Sequence, residues 1–400
     1  MSGSEVFFIL IPLVWLIVTL FVVKDESWKK FIIRWVIMVV ACFVLGSVME
    51  YRIGKMMGGG WSLAEGLYYG WFLAGFFTVL QVVKKIVLGL IRQVISLPAM
   101  PIREVFIKIL YYGILFIIMI PFFLAMTSVH RCKVGDAFDP KTTLGLDYEN
   151  VSWKTSDGLK IKGWFIPAAS GNAVLIAHGL GANKSNFIGT AEMWHQLGFN
   201  VLIFDLRGHG ESDGHTVTFG YRERLDIIGG WDYLTQVKKF MPDKIVGYGV
   251  SFGGAALIHA ANQIHGFHKI IIDSSFASLD DMATHIVEEE PIVPAFFRYA
   301  FKEIGLFFIR LDVGFDIREK SPENFIGNLA GTPILLIHGK GDPLIYWKQS
   351  QRLYDRACQP KQVIFLNAQG HFGTFNDPGY PEMIKAFLSS EKMPGVIERK

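Results

Sequence analysis

Four long apolar stretches near the N-terminus constrain this chain more than any other feature of its sequence. They cover residues 5–23, 31–49, 64–83 and 108–129, and each approaches the roughly 20 apolar residues that a helix needs to cross a bilayer. Buried helices of a water-soluble domain are the alternative, but four such stretches in so short a segment disfavour it. The sequence therefore predicts a four-helix transmembrane region over residues 1–130.

The first stretch lacks the marks of a signal peptide, because no Lys or Arg precedes it and no small-residue cleavage site follows it before Lys24. No Asp, Glu or His lies deep in any stretch, which disfavours an ion or proton path and hence a transporter. Segment 86–100 is apolar but short and contains Arg92, so we interpret it as an interfacial helix.

Basic residues are divided unequally between the loops on the two sides of this region. Nine lie between the first and second stretches or between the third and fourth: Lys24, Lys29, Lys30, Arg34, Lys84, Lys85, Arg92, Arg103 and Lys108. Five lie on the other side: Arg52, Lys55, Arg131, Lys133 and Lys141. Since cytoplasmic loops carry the excess of positive charge, we expect a multi-pass protein with the lipid bilayer as partner and its C-terminal domain on the non-cytoplasmic side.

Composition excludes several classes of protein. The chain of 400 residues has 39 Lys and Arg against 36 Asp and Glu, and a net charge of +3 is too small to mark a nucleic-acid-binding protein. Its three cysteines make neither a disulfide framework nor a cysteine-rich zinc site. No motif indicates a metal or an organic cofactor, so we expect neither.

Beyond the apolar region, short β-rich runs alternate with helical patterns. The runs predicted as strands cover residues 148–154, 159–166, 173–177, 200–205, 244–249, 269–273, 333–338 and 362–367. The later runs are continuously apolar, as in strands that are buried on both faces of a parallel sheet. Residues 140–391 are thus predicted to form an α/β domain, with a mostly parallel eight-stranded sheet and helices on both faces.

Segment 277–320 interrupts this alternation between the sixth and seventh predicted strands. It contains no strand-like run and many bulky apolar residues. Insertions of this length often form lids over binding sites. We predict a short helical lid, with a peripheral helical insertion as the alternative.

Gly249-Val250-Ser251-Phe252-Gly253 is a G-x-S-x-G sequence between a predicted strand and a predicted helix. In that context the serine lies on a tight turn that only glycine neighbours permit, with its hydroxyl at the carboxyl edge of the sheet. Ser251 is therefore the candidate nucleophile.

A serine nucleophile needs a base, and the base needs an acid to fix its tautomer. His371 follows the last predicted strand, and a loop there can bring it over Ser251. Asp342 follows the seventh strand in a glycine-rich loop, which gives the chain order Ser, Asp, His. Asp273, at the end of the sixth strand, is the competing acid.

An oxyanion formed at such a site requires two backbone donors. The N–H of Phe252, next to the nucleophile, is one candidate. The loop after the third strand, His178-Gly179-Leu180-Gly181, supplies the other, for which we select the Leu180 N–H. A plain turn is the alternative for this loop.

Five motifs in this order resemble the α/β-hydrolase superfamily, in particular the serine-aminopeptidase-like and monoacylglycerol-lipase-like group of membrane-associated serine hydrolases. The resemblance covers about residues 145–390. The motifs that carry it are His178–Gly181, Asp205–Ser212, Gly249–Gly253, His338 to Asp342, and Gly370-His371.

The resemblance implies an α/β-hydrolase fold with Ser251, Asp342 and His371 as catalytic triad. It also implies roles in the structure or at the edge of the site for Asp205, Arg207 and His209. Of these two roles, a structural network that stabilises a turn is favoured. The predicted transmembrane helices lie outside the family's usual pattern.

The leading functional hypothesis is a membrane-anchored serine hydrolase that cleaves an ester or thioester of a small acyl or lipid substrate through an acyl-enzyme on Ser251. A serine peptidase or amidase is the alternative within enzymes. A non-catalytic membrane protein that uses the hydrolase fold as a binding module is the alternative outside them.

Overall fold

The computed structural model describes residues 113, 117–118, 120–131, 133–264, 266–290, 293–390 and 395–399. Residues 120–129 are helical, and the compact unit that contains the sheet begins at Ser128. No helix in these ranges has the length and apolar character needed to cross a membrane. The predicted spans 5–23, 31–49 and 64–83, with the first part of 108–129, lie outside the described residues.

One sheet forms the centre of this unit, and within the described residues it has nine strands. Its spatial order is β1-β2-β4-β3-β5-β6-β7-β8-β9, antiparallel for the pairs β1–β2 and β2–β4 and parallel for all the others. In chain order the strands are Glu149–Lys154, Lys160–Ile166, Ala173–Ala177, Asn200–Phe204, Ile245–Val250, Lys269–Asp273, Ile334–Gly341, Lys361–Gln369 and Val396–Arg399.

The first eight strands confirm the predicted runs to within a few residues, but the prediction of eight strands is wrong by one. Strand β9 pairs in parallel with β8 through Val396 and Ile397, beyond the expected end of the domain at residue 391. It is four residues long and mostly exposed. An edge strand of that kind buries no apolar run, so the sequence carries no periodic signal for it.

Helices cover both faces of the sheet because alternate side chains of each strand point to opposite sides. In β3, Leu175 packs in one core layer and Ile176 in the other. From residue 140 onward the α-helices of the described chain, α1 to α8 in chain order, are Pro140–Leu144, Ile188–Gln196, Arg224–Asp232, Phe252–Ala261, Leu279–Glu289, Arg298–Val313, Lys348–Arg356 and Tyr380–Ser389.

The interval predicted as a lid is helical in the structure and contains α5 and α6. Helix α6 buries Phe301 and Ile309, whereas Tyr299 and Phe307 on the same helix are exposed. Helix α5 contacts the loop after β7, because His285 Nε2 donates to the Pro343 carbonyl at 3.3 Å.

Strand order reverses direction at β3, between β4 and β5. In open α/β sheets such a reversal separates the loops at the carboxyl ends of the strands and leaves a crevice there. The loops after β3, β5, β7 and β8 all emerge at this edge. They carry the candidate oxyanion loop, nucleophile, acid and base of the sequence analysis.

Candidate active site

Ser251 occupies the turn between β5 and α4 with φ of +54° and ψ of −118°. This is a backbone conformation that residues other than glycine rarely adopt. A Cβ on Gly253 would lie 2.2 Å from the Ala177 carbonyl oxygen, and one on Gly249 would lie 2.7 Å from the Gly253 carbonyl oxygen. Only glycine fits at either position, so the turn holds the serine as the motif predicts.

His371 lies between Ser251 and Asp342, although the three residues come from loops that are distant in sequence. Its Nε2 is 2.8 Å from Ser251 Oγ, and its Nδ1 is 2.7 Å from Asp342 Oδ2. All three side chains are buried. The structure thus brings the three predicted residues into one hydrogen-bonded chain.

The charge of Asp342 fixes the direction of these hydrogen bonds. Burial alone would raise its pKa, but hydrogen bonds from His338 and His371 outweigh burial and hold the pKa of Asp342 well below its ordinary value. Its other oxygen, Oδ1, accepts the Leu344 and Ile345 N–H groups at 2.9 and 3.0 Å. An ionised carboxylate only accepts, so His371 Nδ1 carries the proton and Nε2 is free to accept the Ser251 hydroxyl.

His338 is a neighbour of Asp342 that sequence reasoning assigned only to a motif. Its Nε2 donates to the Ile345 carbonyl at 2.7 Å and lies 3.4 Å from Asp342 Oδ2. The Ser350 hydroxyl donates to Nδ1 at 2.7 Å. These contacts keep His338 in one tautomer with its N–H toward the acid loop.

Asp273, the competing acid, makes no hydrogen bond to His371 in the structure. The Tyr380 hydroxyl donates to it at 2.6 Å, the Ser274 hydroxyl at 2.7 Å and the Thr374 hydroxyl at 3.0 Å. Burial raises the pKa of Asp273. Because Thr374 follows His371 by three residues, this cluster holds the loop that carries the candidate base.

Backbone donors lie unused beside the serine hydroxyl. A Cβ on Gly179 would be 3.7 Å from Ser251 Cβ, so the loop after β3 passes close to the candidate nucleophile. Phe252 begins α4, where the first N–H groups of a helix have no partner within the helix. Neither the Leu180 nor the Phe252 N–H donates a hydrogen bond within the part of the chain that the structure describes.

His178 stabilises the start of this loop. Its Nδ1 donates to the Gly179 carbonyl at 2.8 Å, and its Nε2 accepts the Leu206 N–H at 3.0 Å. Burial lowers the pKa of His178, which keeps the imidazole neutral and able to accept at one nitrogen.

His209 stabilises the end of the loop in the same way. Its Nε2 accepts the Gly181 N–H at 3.1 Å, and its Nδ1 donates to the Arg207 carbonyl at 2.9 Å. Its ring lies 5.7 Å from that of Phe252, the other donor residue. Burial, reinforced by the neighbouring imidazole, lowers the pKa of His209 well below its ordinary value. A neutral His209 therefore fixes the backbone on the far side of Leu180.

Lys184, just beyond this loop, is a buried cation that sequence reasoning missed. Its Nζ is 2.8 Å from Asp205, 2.5 Å from Asp136 and 3.3 Å from Glu211. Its backbone N–H also donates to Asp205 Oδ1 at 2.7 Å. Buried charges are retained where they are paired and hydrogen-bonded, so this network joins the loop after β3 to the turn after β4.

Arg207 lies in the turn after β4 and pairs with two carboxylates. It donates from Nε and Nη2 to Asp226 at 3.0 and 2.7 Å, and from Nη1 to Asp157 at 2.7 Å. These partners lie 19 and 50 residues away in sequence, and no short-range pattern reveals them. The residues from Asp205 to His209 thus form a structural network beside the site.

Among the described residues, no three or more His, Cys, Asp or Glu side chains are placed to hold a metal ion.

The sequence and the fold of this chain are similar to those of known proteins. Residues 174–380 match the alpha/beta hydrolase family. The protein YfhR of Escherichia coli (strain K12) is 29% identical over 257 residues, which cover 62% of this chain and 82% of YfhR. Yeast YNL320W (Saccharomyces cerevisiae), named a membrane protein, is 25% identical over 255 residues, with coverage of 62% and 82%. The Pyrococcus furiosus esterase Pf2001 superposes with a TM-score of 0.55 at 24% identity, covering 65% of this chain and 97% of that one.

Proposed function

The chain belongs to the alpha/beta hydrolase family, and we propose that it is a serine hydrolase that cleaves carboxylic esters or thioesters. The observation that carries the proposal is the hydrogen-bonded chain from Ser251 Oγ through His371 to Asp342. A serine hydroxyl is a weak nucleophile unless a base is in hydrogen-bond contact with it, and this base has its accepting nitrogen in that position.

In the proposed reaction, Ser251 Oγ attacks the carbonyl carbon of the substrate while His371 Nε2 takes the hydroxyl proton. Asp342 stabilises the resulting imidazolium through Nδ1. The N–H groups of Leu180 and Phe252 receive the negative charge that develops on the carbonyl oxygen. The proton on Nε2 then passes to the departing alcohol or thiol, which leaves an acyl group on Ser251.

Water then hydrolyses the acyl-enzyme, with water as the attacking group and Ser251 Oγ as the leaving group. His371 Nε2 takes a proton from water as the water oxygen attacks the acyl carbon, and the tetrahedral species again places its charge on the two N–H groups. Collapse releases the carboxylic acid and returns the proton to Ser251 Oγ. The scheme needs no metal or organic cofactor.

Several observations support an acyl substrate and a membrane location. The motifs resemble the serine-aminopeptidase-like and monoacylglycerol-lipase-like group, and a structural neighbour is named an esterase. The aromatic residues of α6 suit an acyl chain if this segment acts as a lid. The predicted transmembrane spans, together with a yeast relative named a membrane protein, support anchoring in a bilayer, with the catalytic domain on the non-cytoplasmic side.

The test uses a fluorophosphonate label and a panel of acyl esters, acyl thioesters and peptide amides. Ser251→Ala is expected to abolish labelling and to lower turnover by about 10⁶. Ser389→Ala, at the end of α8 and away from the site, is the matched control and should label normally. Full labelling of the Ser251 variant, or turnover of peptide amides alone, would overturn the proposal.

A further inference from the structure

The guanidinium group of Arg131 lies beside the loop after β3. It makes no hydrogen bond and no ion pair with any other group of the described chain. Its Nε is buried and has no acceptor. A guanidinium group without a protein partner is available to an anion from outside the chain.

Neighbouring residues hold the backbone beside Arg131 in a defined position. The Val129 carbonyl accepts the Val217 N–H at 2.8 Å. His130 contacts the His215 carbonyl through Nδ1 at 3.2 Å and Asp312 Oδ1 through Nε2 at 3.1 Å. Arg131 therefore extends from an anchored segment rather than from a free tail.

The guanidinium lies against the loop that carries the candidate oxyanion donor. Its Nη2 would be 2.9 Å from a Cβ on Gly181, the residue after Leu180. Asp205 and Asp136, acids of the surrounding network, are bonded to Lys184. The charge of Arg131 is thus left without a protein counterion next to the site of the reaction.

We propose that Arg131 binds an anionic group, a carboxylate or a phosphate, that the substrate carries beside its scissile ester. This inference rests on the proposed function and names its substrate class. The planar guanidinium offers a fork of N–H donors that matches two oxygens of either anion. The substrate is an acyl ester with a negative charge near the reacting carbonyl.

Two matched pairs of esters test this with the full-length protein. The carboxylate pair is 4-nitrophenyl hydrogen adipate against 4-nitrophenyl hexanoate, and the phosphate pair is 1-oleoylglycerol 3-phosphate against 1-oleoylglycerol. The measured quantity is the ratio of kcat/KM for the anionic ester to that for the neutral one. Arg131→Gln is expected to lower this ratio by about 10- to 100-fold in at least one pair. Lys385→Gln removes one exposed charge on α8 and should leave the ratio unchanged.

The pair that responds identifies the anion. If Arg131→Gln fails to fold, the wild-type protein supplies a second measurement. Raising the salt from about 0.05 to about 0.5 M should weaken turnover of the anionic ester but not of the neutral one, because salt screens charge pairs. An unchanged ratio in both pairs, with Ser251-dependent hydrolysis intact, would overturn the role of Arg131 alone. Hydrolysis that survives Ser251→Ala would overturn the proposed function and this inference together.

Discussion

Replacing Asp342 by Asn tests the assignment of the acid most directly, because the two side chains have the same shape. The carboxylate has two distinct sets of partners. Oδ1 accepts the N–H groups of Leu344 and Ile345, and Oδ2 accepts the Nδ1 proton of His371. The amide of the variant has one oxygen and one NH₂ group, so its orientation decides the outcome.

The backbone sets that orientation. An NH₂ group placed at Oδ1 would face two N–H donors and lose two hydrogen bonds, each worth about 1 kcal/mol net. The oxygen therefore takes the Oδ1 position, and the NH₂ group points at His371 Nδ1. The imidazole must then accept at Nδ1 and carry its proton on Nε2, where it cannot take the Ser251 proton. We expect kcat to fall by about 10⁴, which corresponds to about 5.4 kcal/mol of transition-state stabilisation.

The assay is steady-state hydrolysis of a short 4-nitrophenyl ester, with kcat and KM determined separately. KM should change little, since Asp342 contacts the base and not the substrate. Asp273→Asn is the matched control. Its carboxylate bonds to hydroxyl groups that can rotate to donate or accept, so its kcat should fall far less. A kcat within tenfold of wild type for Asp342→Asn, or a larger loss for Asp273→Asn, would refute this reasoning.

Three further outcomes follow from the structure. His209→Phe, which cannot accept the Gly181 N–H, should lower kcat by about 10² without raising KM and should weaken binding of a boronic acid. Burial lowers the pKa of His259 to about 4. The contribution of neutral His259 to the free energy of unfolding is therefore complete above pH 6.5 and is lost as the pH falls toward 4, and the pKa shift corresponds to about 3 kcal/mol. Urea unfolding of His259→Gln should show a smaller loss of stability on acidification than the wild type does. Residues 128–400 alone should hydrolyse soluble esters but act more slowly on vesicle-bound esters, whereas a chain that begins at Cys132 loses the Val129 and His130 contacts and should melt at a lower temperature.

Much of the sheet could be predicted because its strands are buried on both faces. Runs such as Ala173–Ala177 and Lys269–Asp273 stand out from the polar helix-forming segments around them, and both match the structure to the residue. Val396–Arg399 gave no such signal, because the edge of a sheet needs no apolar side chains. The buried strands could therefore be predicted from the sequence, and the exposed edge strand could not.

The candidate site could also be predicted from the sequence only in part. Ser251 could be found from the sequence, since its strained turn requires glycines at fixed positions beside it. The glycine-rich loop and the chain order Ser, Asp, His favoured Asp342 over Asp273 as the acid, but Asp273 stayed a competitor because both lie at the carboxyl ends of buried strands. Only the spatial positions of Thr374 and Tyr380 show why Asp273 is engaged elsewhere. A sequence motif reflects what the local backbone conformation requires. Hydrogen bonds between residues that are far apart in the chain produce no pattern in residue spacing.

The segment between the predicted membrane region and α1 has contacts that make it part of the site rather than a passive linker. Asn183 Nδ2 donates to the Val134 and Gly135 carbonyls at 3.0 and 3.1 Å, and Asp136 pairs with Lys184. Both partners lie within four residues of Leu180, whose N–H is a candidate oxyanion donor. A flexible tether would bond to no fixed group of the domain that it carries. This one is bonded next to the loop that carries the proposed oxyanion donor, so the position of that loop depends on residues upstream of the hydrolase fold.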